Sequence, residues 1–183
     1  MSTTIQTFTA TVRTPSDCPP LPPSCLHTLV HIARWRARRH PDDVAFTFLI
    51  DGEEQEAHLT YRQLDLRARS IAAELQARGL DGQRVLLVFN PGLDYNAAVF
   101  GCLYAGAVAV PVYPPDPFRA HRTLPRLRAI VEDAQAALVL GCEEILQWAG
   151  QTIESTCGAG TLALESIAED RWLDWEPLAP DAD

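Results

Sequence analysis

Apolar residues recur along the chain in two periods, and the change from one to the other marks its elements. From Ser24 to about Arg39, the residues Leu26, Leu29, Val30, Ala33 and Ala37 keep helical spacing. This predicts a helix with one buried face, capped by Ser24 and closed by Pro41. In "VAFTFLI" the period becomes two, which puts Phe46, Phe48 and Ile50 on one face; "DGEE" turns the chain and "EAHLTY" returns, so a hairpin is expected. Thr60 then caps a long helix, "YRQLDLRARSIAAELQARG", with Leu64, Ala68, Ile71, Ala72 and Leu75 as its buried stripe and Gly79 as its stop.

Beyond Gly79 the pattern is that of an α/β unit. "RVLLVF" is nearly all apolar, as in parallel strands covered on both faces. A helix with Leu93, Ala97, Phe100 and Tyr104 in register leads to a second buried strand, "AVAVPV", which makes a β-α-β crossover. A further helix over Arg119 to Ala134 turns Leu124, Leu127, Val131 and Ala134 inward and leaves Arg122, Arg126 and Arg128 outside. Pro125 sits near its first turns and shifts the expected start to about Thr123. "AALVL" makes a third strand. The fold class is α/β, with a mainly parallel sheet flanked by helices and an early β-hairpin. Between the second strand and the last helix lies "PVYPPDP", whose prolines hold a rigid turn at the carboxyl edge of the sheet, where open α/β folds place ligands. Pro111 itself belongs at a strand end or a sheet edge. Residues 1–23, a polar start followed by "CPPLPPS", read as a flexible proline-rich lead-in to the folded unit at 24–183. A PxxP ligand is the alternative there, but such short motifs match often by chance.

Composition narrows the function classes. A chain of 183 residues with 47% hydrophobic content can bury one core. Its net charge of -9 argues against a nucleic-acid footprint. All 15 basic residues are arginine, so a G-x-x-x-x-G-K phosphate loop is absent, and so is G-x-G-x-x-G. "FNPGLDY" follows a strand and opens a helix, where backbone N–H groups can meet an anion, yet a single glycine there reads as a simple turn. Cys18, Cys25, Cys102, Cys142 and Cys157 form no C-x-x-C pair, which points away from a disulfide framework or a zinc site and toward a reducing compartment. The N-terminus lacks an apolar signal core, and the uncharged run Asn96 to Pro115 is interrupted by Gly101 and Gly106, so a cytoplasmic chain without a membrane span is expected.

The search for a reaction centre assigns no catalytic, cofactor-binding or metal-binding residue. His27 and His31 stand four apart, which is metal-ligand spacing, but no third ligand presents itself and the pair reads as helix surface. Glu53, Glu54 and Glu56 read as a solvated turn. Arg34, Arg36, Arg38 and Arg39 could attract an acidic partner, although solvated charges at a helix end are the usual reading. There is no G-x-S-x-G elbow, and no cysteine has a neighbouring histidine.

Two strings, "LTYRQLDLRARSIAAEL" and "LYAGAVAVPVYPPDP", resemble the first two core motifs of the adenylate-forming superfamily of acyl-CoA synthetases and peptide-synthetase adenylation domains. "VPVYPPDPFRAHRTLPRLRAIVEDAQAALVL" is similar more closely to fatty acyl-AMP ligases, as is "FNPGLDYNAAVFGCLYAGAVAVP". The likeness runs from about Leu26 to about Pro180. It implies a two-step ligase that activates a fatty acid with ATP to acyl-AMP and passes the acyl group to an acyl carrier protein, in lipid, polyketide or lipopeptide synthesis. The family's phosphate loop, its nucleotide contacts, its magnesium-binding acid and its catalytic lysine come after the matching region, so none is carried over onto a residue here. The resemblance therefore implies an incomplete N-terminal subdomain that stops before the phosphate loop and is inactive alone. It binds no cofactor by itself, MgATP being implied for the complete enzyme. Its partners are the remainder of the ligase chain, the fatty acid and the carrier protein, with no nucleic acid and no membrane span. Two alternatives stand beside this: a short non-catalytic docking protein derived from the family, and a fragment of a fatty acyl-CoA synthetase.

Overall fold

The computed structural model describes residues 27–147 and 159–178. The proline-rich lead-in and Cys18, Cys25 and Cys157 lie outside them. Helix α1 spans Leu29–Arg39, and its cap is Thr28, whose hydroxyl accepts from the His31 N–H at 3.1 Å. The helix therefore begins later than the apolar spacing suggested, because Thr28 is extended and takes the first free donor; Ser24 and Leu26 fall outside the described residues. Leu29, expected inside, is 60% exposed, while Ala33 is buried and Val30 packs against the core. His27 precedes the cap, so the helical His27/His31 pairing is not formed.

Strands β1 (Val44–Leu49) and β2 (Glu56–Thr60) pair antiparallel, as expected of the hairpin. Phe46 and Phe48 are half-buried, and Phe46 meets Phe100 edge-on. Ile50, expected on the same face, is exposed, because the strand ends at Leu49 and Ile50 already belongs to the turn. The Asp51 carboxylate accepts the backbone N–H groups of Glu53, Glu54 and Gln55, and Gly52 takes φ 81°. Those N–H bonds, the one from Glu53 foremost, hold the Asp51 carboxyl below the usual range.

Helix α2 (Tyr61–Ala77) starts in a capping box: the Thr60 hydroxyl accepts from the Gln63 N–H, and the Gln63 side chain accepts from the Thr60 N–H. All five residues of its predicted stripe are buried. The chain leaves it through Gly79 at φ 68°.

A four-stranded parallel sheet follows, in the order β4-β3-β5-β6, built from β3 (Arg84–Val88), β4 (Val108–Val112), β5 (Leu138–Gly141) and β6 (Gly160–Ala163). The apolar runs foretell three of these strands; β6 is additional. Pro111 lies opposite Leu87 on the edge strand β4, where its missing N–H costs no interior ladder bond. Helix α3 (Leu93–Ala105) packs beside α2 on one face of the sheet, over Val85, Leu87, Leu138 and Leu140. Helix α4 (Ala120–Ala134) covers the other face, where Leu127 and Val131 meet Leu86, Val88 and Val139. Alternate residues of β3 thus serve two cores, which is why the strand reads as continuously apolar.

Helix α4 does not wait for Thr123. It starts at Ala120 after the 3₁₀ turn Pro117–Arg119 and carries Pro125 inside. Thr123 instead locks the turn, its hydroxyl lying 3.1 Å from the Asp116 N–H that it accepts and 3.1 Å from the Arg119 carbonyl. At the far end, the Arg84 guanidinium donates to the Ala134 and Gln135 carbonyls, the free acceptors of the last turn.

Candidate functional site

Helices α2, α3 and α4 run from the carboxyl edge of the sheet back to its amino edge, so their first turns gather at the edge where such folds bind ligands. A cleft of about 830 Å³ opens there between the first halves of α2 and α3 and the segment after β6. Leu66, Ile71, Ala97, Leu164 and Ile167 contribute apolar lining, while Arg67, Asp94, Glu165, Glu169 and Asp170 supply charge. Four carboxylates against one guanidinium make this cleft unfavourable for a phosphate or a free carboxylate. Arg67 is itself paired with Asp94 at 3.0 Å. Asp94 also occupies the first turn of α3, so the helix end opened by "FNPGLDY" already faces an anionic side chain, in keeping with its reading as a turn.

The far wall of the cleft is a strap made of two 3₁₀ segments, Leu164–Ser166 and Glu169–Asp174, and the residues to Leu178. Helix α2 holds it at several levels. The Ser70 hydroxyl lies 3.1 Å from the Glu169 carbonyl, Arg171 pairs with Glu74, and the Gln76 amide exchanges hydrogen bonds with both backbone groups of Glu176. Trp175 anchors its end: the indole N–H donates to the Tyr104 carbonyl at 3.1 Å, and the ring packs on Tyr104.

Beneath Trp175 lies a polar cluster. The Tyr104 hydroxyl donates to Asp65 at 2.8 Å, and Arg69 pairs with the other Asp65 oxygen at 2.6 Å. The guanidinium groups of Arg34 and Arg69 lie 4.7 and 5.0 Å from the Trp175 ring, stacked on its indole. Burial lowers the Arg34 pKa, and the neighbouring charges of Arg38 and Arg69 add to this. Arg36 lies over Trp35 and Tyr61. The arginines at the end of α1 are therefore not all solvated: two of the four face aromatic rings, and only Arg38 and Arg39 point outward. Burial pushes the Tyr104 phenol up, with the adjacent Asp65 charge adding to it, and burial alone pushes the Cys102 thiol up to about 12. Neither group is poised to act as a base or nucleophile near neutral pH. His27 and His31 are exposed, Glu53 and Glu54 stand on the hairpin turn, and none of these lines the cleft. Among the described residues, no three His, Cys, Asp or Glu side chains are grouped to hold a metal ion, and no helix is long and apolar enough to cross a membrane. The described residues thus form a wall with an acid-rimmed, apolar-floored cleft. Sequence reading missed the strap; the paired tryptophans of "RWLDWEP" were the one local signal of a buried anchor there.

Residues 33–182 match the family described as AMP-binding enzyme. A medium-chain-fatty-acid–[acyl-carrier-protein] ligase of Moorena producens is 48% identical over 113 residues, 62% of this chain and 19% of that protein. Disco-interacting protein 2 of Drosophila melanogaster is 41% identical over 118 residues, 63% of this chain and 7% of that protein. The solved structure of a fatty acyl-adenylate ligase from L. pneumophila, in complex with acyl adenylate and pyrophosphate, is similar with a TM-score of 0.71 and 38% identity, over 82% of this chain and 25% of that one. The chain thus spans less than a fifth of these two relatives and a quarter of the solved chain.

Proposed function

Since the chain belongs to the AMP-binding enzyme family, we propose that it forms the N-terminal part of a fatty acyl-AMP ligase, one that joins a fatty acid to AMP and delivers the acyl group to a carrier protein in the cytoplasm. The observation that carries this reading is the likeness, at 38% identity over 82% of the chain, to a ligase whose structure holds acyl adenylate and pyrophosphate. The carrier as acceptor is supported by the Moorena relative, which is named for that transfer. The residues present do not fit MgATP: the chain has no lysine, its charged cleft is mostly acidic, and no metal-holding cluster occurs among the described residues. Nucleotide handling accordingly falls to the remainder of the ligase, and this segment supplies the two-sided α/β wall against which that remainder packs.

The test is ATP–pyrophosphate exchange with a fatty acid present. The isolated 183 residues are expected to give none, and the full-length protein to give exchange that depends on the fatty acid. Exchange by the isolated chain would overturn the division of labour, and none by the full-length protein would overturn the ligase reading.

A second reading is a non-catalytic interaction module, favoured by the 41% identity to Disco-interacting protein 2. It predicts a stable complex with another protein and no exchange activity in any form of the chain.

A further inference from the structure

The outer face of α4 and the turn before it carry charges and rings that the fold leaves unused. Arg122 and Arg126 are exposed and have no ion pair, hydrogen bond or aromatic contact among the described residues. The exposed arginines Arg62, Arg67, Arg78, Arg119 and Arg128 each have a carboxylate partner, whereas Arg38 and Arg39 at the end of α1 are exposed without one, as Arg122 and Arg126 are. Acids are not scarce, since the chain holds 24 against 15 arginines, so the solitude of this pair is one of placement. Its position is also electrostatically unfavourable: the two cations stand four apart on the helix, in its first half, with no acid in the first turn. Phe118, in the 3₁₀ turn just before the helix, is 95% exposed, so the ring and the two cations fall within one short exposed stretch at the start of α4. Tyr113, at the other end of the proline turn, is 83% exposed.

The turn that presents these rings is rigid. Pro114 and Pro115 fix its backbone, the Asp116 carboxylate accepts the Phe118 N–H at 2.9 Å, and Thr123 closes the loop on Asp116. A pre-organised surface loses little freedom when it is covered, and arginine with exposed aromatic residues is the composition of protein-binding anchors.

We infer that Phe118, Arg122 and Arg126 form a docking surface for an acidic protein, with Phe118 as the apolar anchor and the two arginines pairing with carboxylates of the partner. Resting on the acyl-transfer reading above, that partner is the carrier protein that accepts the acyl group. Nucleic acid and anionic membranes are disfavoured by the net charge of -9 and by the small number of free cations, since binding to phosphate surfaces is built from many such contacts.

The experiment is a fluorescence titration of labelled, phosphopantetheinylated acyl carrier protein with the full-length protein at low and at high salt. The Arg122→Glu/Arg126→Glu double variant is expected to bind at least about tenfold more weakly and to lose most of its salt dependence. Phe118→Ala weakens binding without changing the salt dependence, and the control Arg62→Glu leaves both unchanged. Carrier protein that fails to bind the unaltered protein, or that binds the double variant equally well, overturns the inference. So does binding of anionic phospholipid vesicles, in place of the carrier, through the same residues. Pyrophosphate exchange is measured on the same samples. Exchange kept while carrier binding is lost assigns the defect to docking, whereas exchange absent from the unaltered protein removes the ligase reading and leaves the surface to be decided by the titration.

Discussion

Cys102 shows at the scale of one residue how burial turns a reactive group into a structural one. Its thiol lies in the core on α3, and burial raises it from 9.0 to about 12. Below pH 9 the folded and unfolded chains both keep the proton; between about 9 and 12 the unfolded chain releases it and the folded chain does not. The folded state then binds more protons, so stability is complete below pH 9 and falls as pH rises through this window. Tyr104, raised from 10.0 by burial and then by Asp65, acts in the same direction at higher pH. The expected result is a thermal midpoint that declines above pH 9, with a shallower decline in Cys102→Ala. A midpoint as flat in the unaltered chain as in the variant would show that the thiol is solvated.

At the scale of elements, α2 and α3 approach each other closely at Gly101. A Cβ built at Gly101 would lie 2.6 Å from the Cβ of Ile71, closer than two such atoms come without a shift of a helix. Gly101→Ala therefore sets the helix-forming gain of alanine, about 1 kcal/mol, against an overpacking cost of about 1–3 kcal/mol. Overpacking is expected to win, because the obstructing atom is a branched Cβ that no rotamer change moves. Urea denaturation should show a net loss of about 1 kcal/mol; a gain would mean that the helices separate at little cost.

For the whole molecule, the strap over α2 joins residues far apart in the chain, as in the Ser70–Glu169 contact. Its anchor, Trp175, touches groups from α1, α2 and α3 at once. Trp175→Ala is expected to cost about 3–5 kcal/mol, and to do so unevenly. Hydrogen exchange should rise first along Glu169–Asp174, while the β3 and β5 amides keep their protection. Equal loss of protection across the sheet would show instead that the strap is part of a single cooperative unit.

The sequence by itself determined the elements whose signal is local. The stripe of α2, the Thr60 cap, the hairpin and the two-sided strands β3 and β5 all follow from periods that a short window contains, and Pro111 marks the edge strand through its missing donor. The tertiary structure alone decided the rest. Strand β6 is four residues long with only Leu162 fully buried, so it becomes a strand by pairing with β5. The start of α1 was set by which hydroxyl reached its free N–H groups, and the fate of Arg34 and Arg36 by rings that folding brought to them. The cleft joins Arg67, Asp94 and Glu169, three residues whose neighbourhood no local pattern announces. Periodicity records which side of an element is apolar; which distant surface will meet that side depends on complementary shape and charge that exist only once the chain has folded.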